Sequence, residues 1–172
     1  SIILIVLSFL QVSCASYVPQ VTKLDADWST QGVPEGKTLA FRTYLVGDAG
    51  NAAAGKQPAV LRYLQVKLKE APENSSVIFL GDNIYPDGMP KKKEGNRELA
   101  EHKLLVQTNA VKEYPGKVLF IPGNHDWYKY GLDGLRRQRK FVESELGSKK
   151  IWQPEVGCGG PEVIEASDNL VY

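Results

Sequence analysis

Apolar residues in this chain fall into short runs whose spacing alternates between the strand period and the helix period. Leu39 to Val46 is strand-like, with Leu39, Phe41 and Leu45 on one face. Pro58 can open a helix at its first turn; Val60, Leu61, Leu64 and Leu68 follow at helical spacing until Pro72 stops it. Val77–Leu80 is a second strand, short and continuously apolar as a strand covered on both faces should be. Arg97 to about Glu113 is a second helix, ended near Pro115-Gly116, and Val118–Ile121 is a third strand. Asp133 is placed to cap a third helix through Leu135, Val142 and Leu146, with Gly147 at its C-terminal end. Beyond it Gly157-Cys158-Gly159-Gly160-Pro161 predicts a turn, and Val163–Ile164 with Leu170–Tyr172 a hairpin cut off in mid-strand. This alternation is the signature of a βαβ sheet with right-handed crossovers, so the fold class is α/β. No internal repeat or low-complexity segment is visible.

Each strand runs into a glycine turn that carries polar residues. Leu45-Val46 leads into Gly47-Asp48-Ala49-Gly50, and Val77–Leu80 into Gly81-Asp82-Asn83-Ile84-Tyr85. Val118–Ile121, with Pro122, leads into Gly123-Asn124-His125-Asp126-Trp127. Open α/β sheets place ligands beyond the carboxyl ends of their strands. A single Gly-Asp turn is usually a plain loop. Three in order, with Asp, Asp and Tyr, then Asn and His, make an oxygen- and nitrogen-rich pocket suited to hard divalent or trivalent metals.

Composition changes this picture in three places. The chain has 172 residues, 42% hydrophobic and 24% charged, which suits one globular domain. A net charge of +1 gives no electrostatic case for a nucleic-acid partner, and Lys91-Lys92-Lys93 is expected to be a solvated loop. Ile2 to Leu10 is almost purely apolar and ends in Ser13-Cys14-Ala15-Ser16, the pattern of a secretory signal core too short to span a bilayer. Ser13-Cys14 resembles a bacterial lipobox, with Gln11 departing from the usual Leu. Residues 1–14 are therefore expected to be a partial signal peptide, 15–37 a linker and 38–172 the domain. The protein is expected to be exported to the cell envelope, with Cys14 as a lipid anchor. Cys158 then has no partner, the rival reading being a Cys14–Cys158 bridge.

Taken together, the three turns resemble the calcineurin-like metallophosphoesterases, and within them the purple acid phosphatase branch. Most of that superfamily has Asp-x-His in the first turn and Gly-Asp-x-x-Asp in the second. Here the residues are Asp48-Ala49-Gly50 and Gly81-Asp82-Asn83-Ile84-Tyr85, the paired change of the purple branch, in which a tyrosine replaces the histidine ligand. The resemblance implies that Asp48 and Tyr85 bind a first metal, that Asp82 bridges two metals, and that Asn124 binds the second through its amide oxygen. A bridging carboxylate holds two cations about 3.5–4 Å apart, as two-metal hydrolysis requires. A phenol titrates near pKa 10, so a strongly Lewis-acidic ion is needed at Tyr85, which favours Fe³⁺ there and Fe²⁺, Zn²⁺ or Mn²⁺ at the second site. Tyr85 as a plain pocket-wall aromatic is the rival reading.

The same resemblance implies that His125 faces the substrate and protonates the leaving oxygen, with Asp126 orienting its imidazole. His102 reads as an ordinary helix-face histidine, Trp127 and Tyr128 as packing or mouth-lining aromatics, and Asp87-Gly88 as turn chemistry. The implied architecture is an α/β/β/α sandwich, of which the N-terminal βαβαβ half is expected here. The family's later Gly-His-x-His motif is not found, so the chain is expected to be the N-terminal portion of a longer protein. The implied activity is phosphoester hydrolysis by a binuclear centre that activates hydroxide, on a small phosphorylated substrate and most simply a phosphomonoester. A phosphodiesterase or nucleotide hydrolase is the enzymatic alternative. A non-catalytic, lipid-anchored envelope binding module is the alternative from another class.

Overall fold

Ser75–Phe79 is the strand around which the sheet is built, buried at all five positions. The computed structural model describes residues 36–155, 163–168 and 170–172. Along them run β1 (Arg42–Val46), α1 (Ala59–Lys69), β2 (Ser75–Phe79), α2 (Arg97–Val111), β3 (Lys117–Phe120), α3 (Asn124–Trp127), α4 (Gly131–Leu146), β4 (Glu165–Ser167) and β5 (Leu170–Val171). β1, β2 and β3 form a parallel sheet in that order, with β2 in the middle. The expected α/β class and βαβαβ order are what the structure has. The apolar run Ile2–Leu10, Cys14 and Cys158 lie outside the described residues.

Register divides the sheet into two faces. Tyr44, Val77 and Val118 are partners across the strands, as are Val46, Phe79 and Phe120. These six meet Leu61, Leu64 and Leu68 of α1, Leu104 and Val111 of α2, and Leu135 and Val142 of α4 in one hydrophobic core. Phe79 and Phe120 stack at 4.2 Å between ring centroids and 15° between planes, worth about 0.5–1.5 kcal/mol beyond their burial. The other face carries Thr43, Leu45, Ser76, Ile78, Lys117 and Leu119. At its amino-terminal end the β4–β5 hairpin covers it. The Tyr172 hydroxyl bonds Thr43 Oγ1 at 2.6 Å and also Ser76 Oγ, and Lys117 Nζ donates to the carbonyl of Glu165.

Several boundaries differ from expectation, for identifiable reasons. β1 begins at Arg42 rather than Leu39, and its core residues are Tyr44 and Val46. Leu45, on the face that apolar spacing selected, is 62% exposed because the hairpin does not reach that far along the sheet. α4 begins at Gly131 with Tyr130 as its cap residue. Asp133 lies inside the first turn, where it pairs with Arg136 at 3.2 Å on the open surface, a contact worth about 0–1 kcal/mol. Gly147 ends α4 in the left-handed conformation, as its position predicted. The hairpin pairs from Glu165, with Ile164 and Tyr172 exchanging the outer backbone bonds.

The two faces predict different tolerances. Phe79→Ala, at 0% exposure, should cost about 3–5 kcal/mol in urea unfolding. Leu45→Ala should stay within about 0.5 kcal/mol of the parent. Comparable losses in the two variants would mean that the second face is covered after all.

Candidate metal centre

Asp48 and Asp82 follow β1 and β2 in the same unusual backbone conformation, with φ of 55° and 54°. Left-handed backbone is rare outside glycine and costs an Asp about 1 kcal/mol or more, a strain that concentrates at functional sites. The two turns are stitched to one another by backbone hydrogen bonds. Gly50 N donates to Asp82 O at 2.9 Å, Tyr85 N to Gly50 O at 3.1 Å, and Asp48 N to Gly81 O at 3.3 Å. Gly50 is needed for this approach, since a Cβ there would overlap the backbone of Asn83 and Asp82. Gly123 is constrained in the same way, because a Cβ would run into the Asp82 carboxylate.

Three of the four expected ligands meet as a result. The Tyr85 hydroxyl lies 2.5 Å from Asp48 Oδ1 and 2.8 Å from Asp82 Oδ2, sharing its proton between two carboxylates. Hydrogen bonding to Asp48, then to Asp82, holds the phenol pKa well above its ordinary value in the absence of a cation. The second oxygen of Asp82, Oδ1, accepts from His125 N at 3.0 Å and so ties the third turn to the pair. Asn124 opens α3 beside it. Its amide makes no hydrogen bond to Asp48, Asp82 or Tyr85; Nδ2 donates instead to the Tyr128 hydroxyl. Among the described residues no group of three or more His, Cys, Asp or Glu side chains is placed to hold a metal ion. The convergent donors here are two carboxylates and a phenol, with an amide adjoining.

His125 is held by its neighbours. Nδ1 lies 2.8 Å from the carbonyl of Pro86, which makes Nδ1 the donor and leaves Nε2 unbonded among the described residues. Its ring contacts those of Tyr85 and Tyr128, with centroids at 4.2 and 4.6 Å.

Asp126 does not orient that imidazole. Its side chain turns the other way, into the protein, where the residue is 0% exposed. There the carboxylate accepts from Gly123 N at 2.8 Å, Ile84 N at 3.0 Å, and both Asn83 N and Asn83 Nδ2 at 3.1 Å. The helix brings this about, for consecutive residues at the start of α3 point to different sides. Burial pushes the carboxyl pKa up, and the backbone donors of Gly123, Asn83 and Ile84 pull against it. Asp126 is thus a brace between the second and third turns.

Other supports are absent from the motif reading. Asn83 Nδ2 also donates to Ile121 O at 2.8 Å, and Gln107 Nε2 donates to Asn83 O at 2.8 Å. Lys103, 5% exposed, places Nζ 2.6 Å from the carbonyl of Tyr85, and burial lowers its pKa. Lys103 and Gln107 stand one turn apart and interrupt the buried stripe of Ala100, Leu104 and Val111 on α2. That interruption was the available signal. His102, on the same helix, bonds the carbonyls of Ala53 and Lys56 at 3.0 and 3.2 Å. Trp127 packs against the core, Tyr128 is 61% exposed, and Lys91, Lys92 and Lys93 are exposed. Gly88 closes a turn onto Ile84 at 3.1 Å.

A family model described as calcineurin-like phosphoesterase matches residues 41–169, which include all three turns. No curated protein and no solved structure matches the chain.

Removing the Asp126 brace should be costly. Asp126→Ala leaves several buried N–H groups without an acceptor and is expected to lower the unfolding free energy by about 3 kcal/mol or more. An unchanged urea midpoint would show that the loops hold together without it.

Proposed function

The chain belongs to the calcineurin-like phosphoesterases, and on that footing we propose that it is an acid-phosphatase-like phosphomonoesterase of the purple branch, with a binuclear metal centre. The family's chemistry is metal-dependent phosphoester hydrolysis. The observation that supports the finer reading is the Tyr85 proton held between Asp48 and Asp82. Two carboxylates facing one phenol oxygen form an all-oxygen set that a hard cation can enter by displacing that proton.

Gly50 supports the same assignment independently. The usual first-turn histidine has no room at position 50, where even a Cβ would overlap the Asn83 backbone. Tyr85 reaches the first site from the second turn instead. Asp48, Asp82 and Tyr85 would hold the first ion, proposed as Fe³⁺, and Asp82 with Asn124 the second, proposed as Fe²⁺, Zn²⁺ or Mn²⁺. When bound, the ions supply Lewis acidity and an acidified water.

The chain's own contribution is orientation and proton transfer. Pro86 O fixes the Nδ1–H tautomer of His125, and ring contacts with Tyr85 and Tyr128 limit rotation of its imidazole. Nε2 is then free of protein partners among the described residues, and in the imidazolium form its N–H can donate to the departing oxygen of a small phosphorylated substrate, leaving the Nδ1–H neutral ring. Asp48, Asn124 and Tyr128 are all exposed, which suits a substrate approaching from solvent. The apolar run Ile2–Leu10 and Cys14 support export and a lipid anchor in the cell envelope. No helix among the described residues is long and apolar enough to cross a membrane.

Hydrolysis of p-nitrophenyl phosphate by the full-length, metal-loaded protein tests the activity. Asp82→Asn removes the shared charge and should lower kcat/KM by about 10³-fold or more. Rates near the parent would reject the bridging role. With Fe³⁺ bound, Tyr85 should give a visible tyrosinate charge-transfer band that disappears in Tyr85→Phe. A colourless, iron-free and fully active enzyme would overturn the Fe³⁺ assignment while leaving hydrolysis intact.

A further inference from the structure

We propose that Tyr128 is a positioning residue that holds the Asn124 amide by its NH₂ end and so leaves Oδ1 for the second metal. This rests on the reading of Asn124 as a ligand of that metal. An asparagine amide has one end that can coordinate a cation, the carbonyl oxygen, and one that cannot, the NH₂ group. The two ends have nearly the same shape. When Oδ1 faces a cation the NH₂ end needs an acceptor, and a tyrosine hydroxyl can serve as one.

The structure supplies the fixed partner. Asn124 Nδ2 donates to the Tyr128 hydroxyl, and Asn124 Oδ1 has no hydrogen-bond partner among the described residues. The two residues are four apart, and Tyr128 keeps helical backbone angles at the end of α3, φ −48° and ψ −59°. Both side chains therefore lie on one side of the turn. Tyr128 is itself located by its ring contact with His125, and His125 by Tyr85 and the carbonyl of Pro86. The hydroxyl that holds the second-site amide is thus connected to the first-site phenol through the His125 ring.

A packing role does not account for Tyr128, which is 61% exposed and outside the hydrophobic core. Tyr128→Phe keeps the ring against His125 and removes only the acceptor of Nδ2. Partners of this outer kind typically contribute about 10–100-fold to metal affinity.

The test is Mn²⁺ titration of the full-length apoprotein, reading free Mn²⁺ by electron paramagnetic resonance, with melting temperature recorded beside it. Parent, Tyr128→Phe and Asn124→Ala are compared. The expected result is two binding steps in the parent and, in Tyr128→Phe, a weaker step loosened by about 10–100-fold with the tighter step and the melting temperature unchanged. Parent-like binding in Tyr128→Phe, with the weaker step lost in Asn124→Ala, would overturn the role of Tyr128 and leave Asn124 as a ligand. Parent-like binding in Asn124→Ala, or a single step in the parent, would overturn both. Equal weakening of both steps with a lowered melting temperature would make Tyr128 a structural residue and overturn its positioning role.

Discussion

The site depends on one buried carboxylate. Asp126 gathers N–H groups from Gly123, Ile84 and Asn83, and so fixes the distance between the second and third turns. Without that acceptor the turns would present several unpaired donors to a dry interior, which a protein rarely tolerates. Because the oxygens are used up in this way, the carboxylate does no work at the surface. The surface chemistry is left to Asp82, whose two oxygens face the Tyr85 phenol and the His125 amide. Adjacent motif positions thus divide the labour: His125 faces out, and Asp126 holds the ground on which it stands.

Strain and rigidity are coupled here. Asp48 and Asp82 sit in left-handed backbone, a conformation each would leave if its turn were free. The backbone bonds between Gly50, Asp82 and Tyr85 keep them there, and Lys103 and Gln107 hold the same loop from beneath through the carbonyls of Tyr85 and Asn83. A buried lysine is an expensive support, because its charge must leave water for a single carbonyl. Its position under the Tyr85 loop is consistent with a site whose donors must be in place before any ligand arrives.

Much of this was legible in the sequence. The three strands, the two long helices following the first two, and the glycine turns announced themselves because each is a local pattern. The meeting of Asp48, Asp82 and Tyr85 followed from two neighbouring parallel strands, β1 and β2, ending at the same edge. What was not legible depended on direction. Nothing in Asn-His-Asp-Trp says that these residues form a short helix, and a helix is what sends His125 and Asp126 to different sides. The apolar spacing of Leu39, Phe41 and Leu45 was real, but the residues facing the helices are Tyr44 and Val46, and Leu45 lies on the partly open face. Lys103 and Gln107 left only a faint trace, an interruption of the apolar stripe of α2, because a lysine and a glutamine in a helix ordinarily mark its wet side.

Gly50 has a consequence for substitution. Where a neighbouring main chain occupies the volume that a Cβ would need, a larger residue cannot be installed by a change at that position alone. Introducing a histidine would require the second turn to retreat, which would break the bond from Gly50 N to Asp82 O and withdraw Tyr85 at the same time. Position 50 is therefore coupled to its neighbour across the turn: a larger residue there is admissible only together with a compensating shift of the Asn83 backbone.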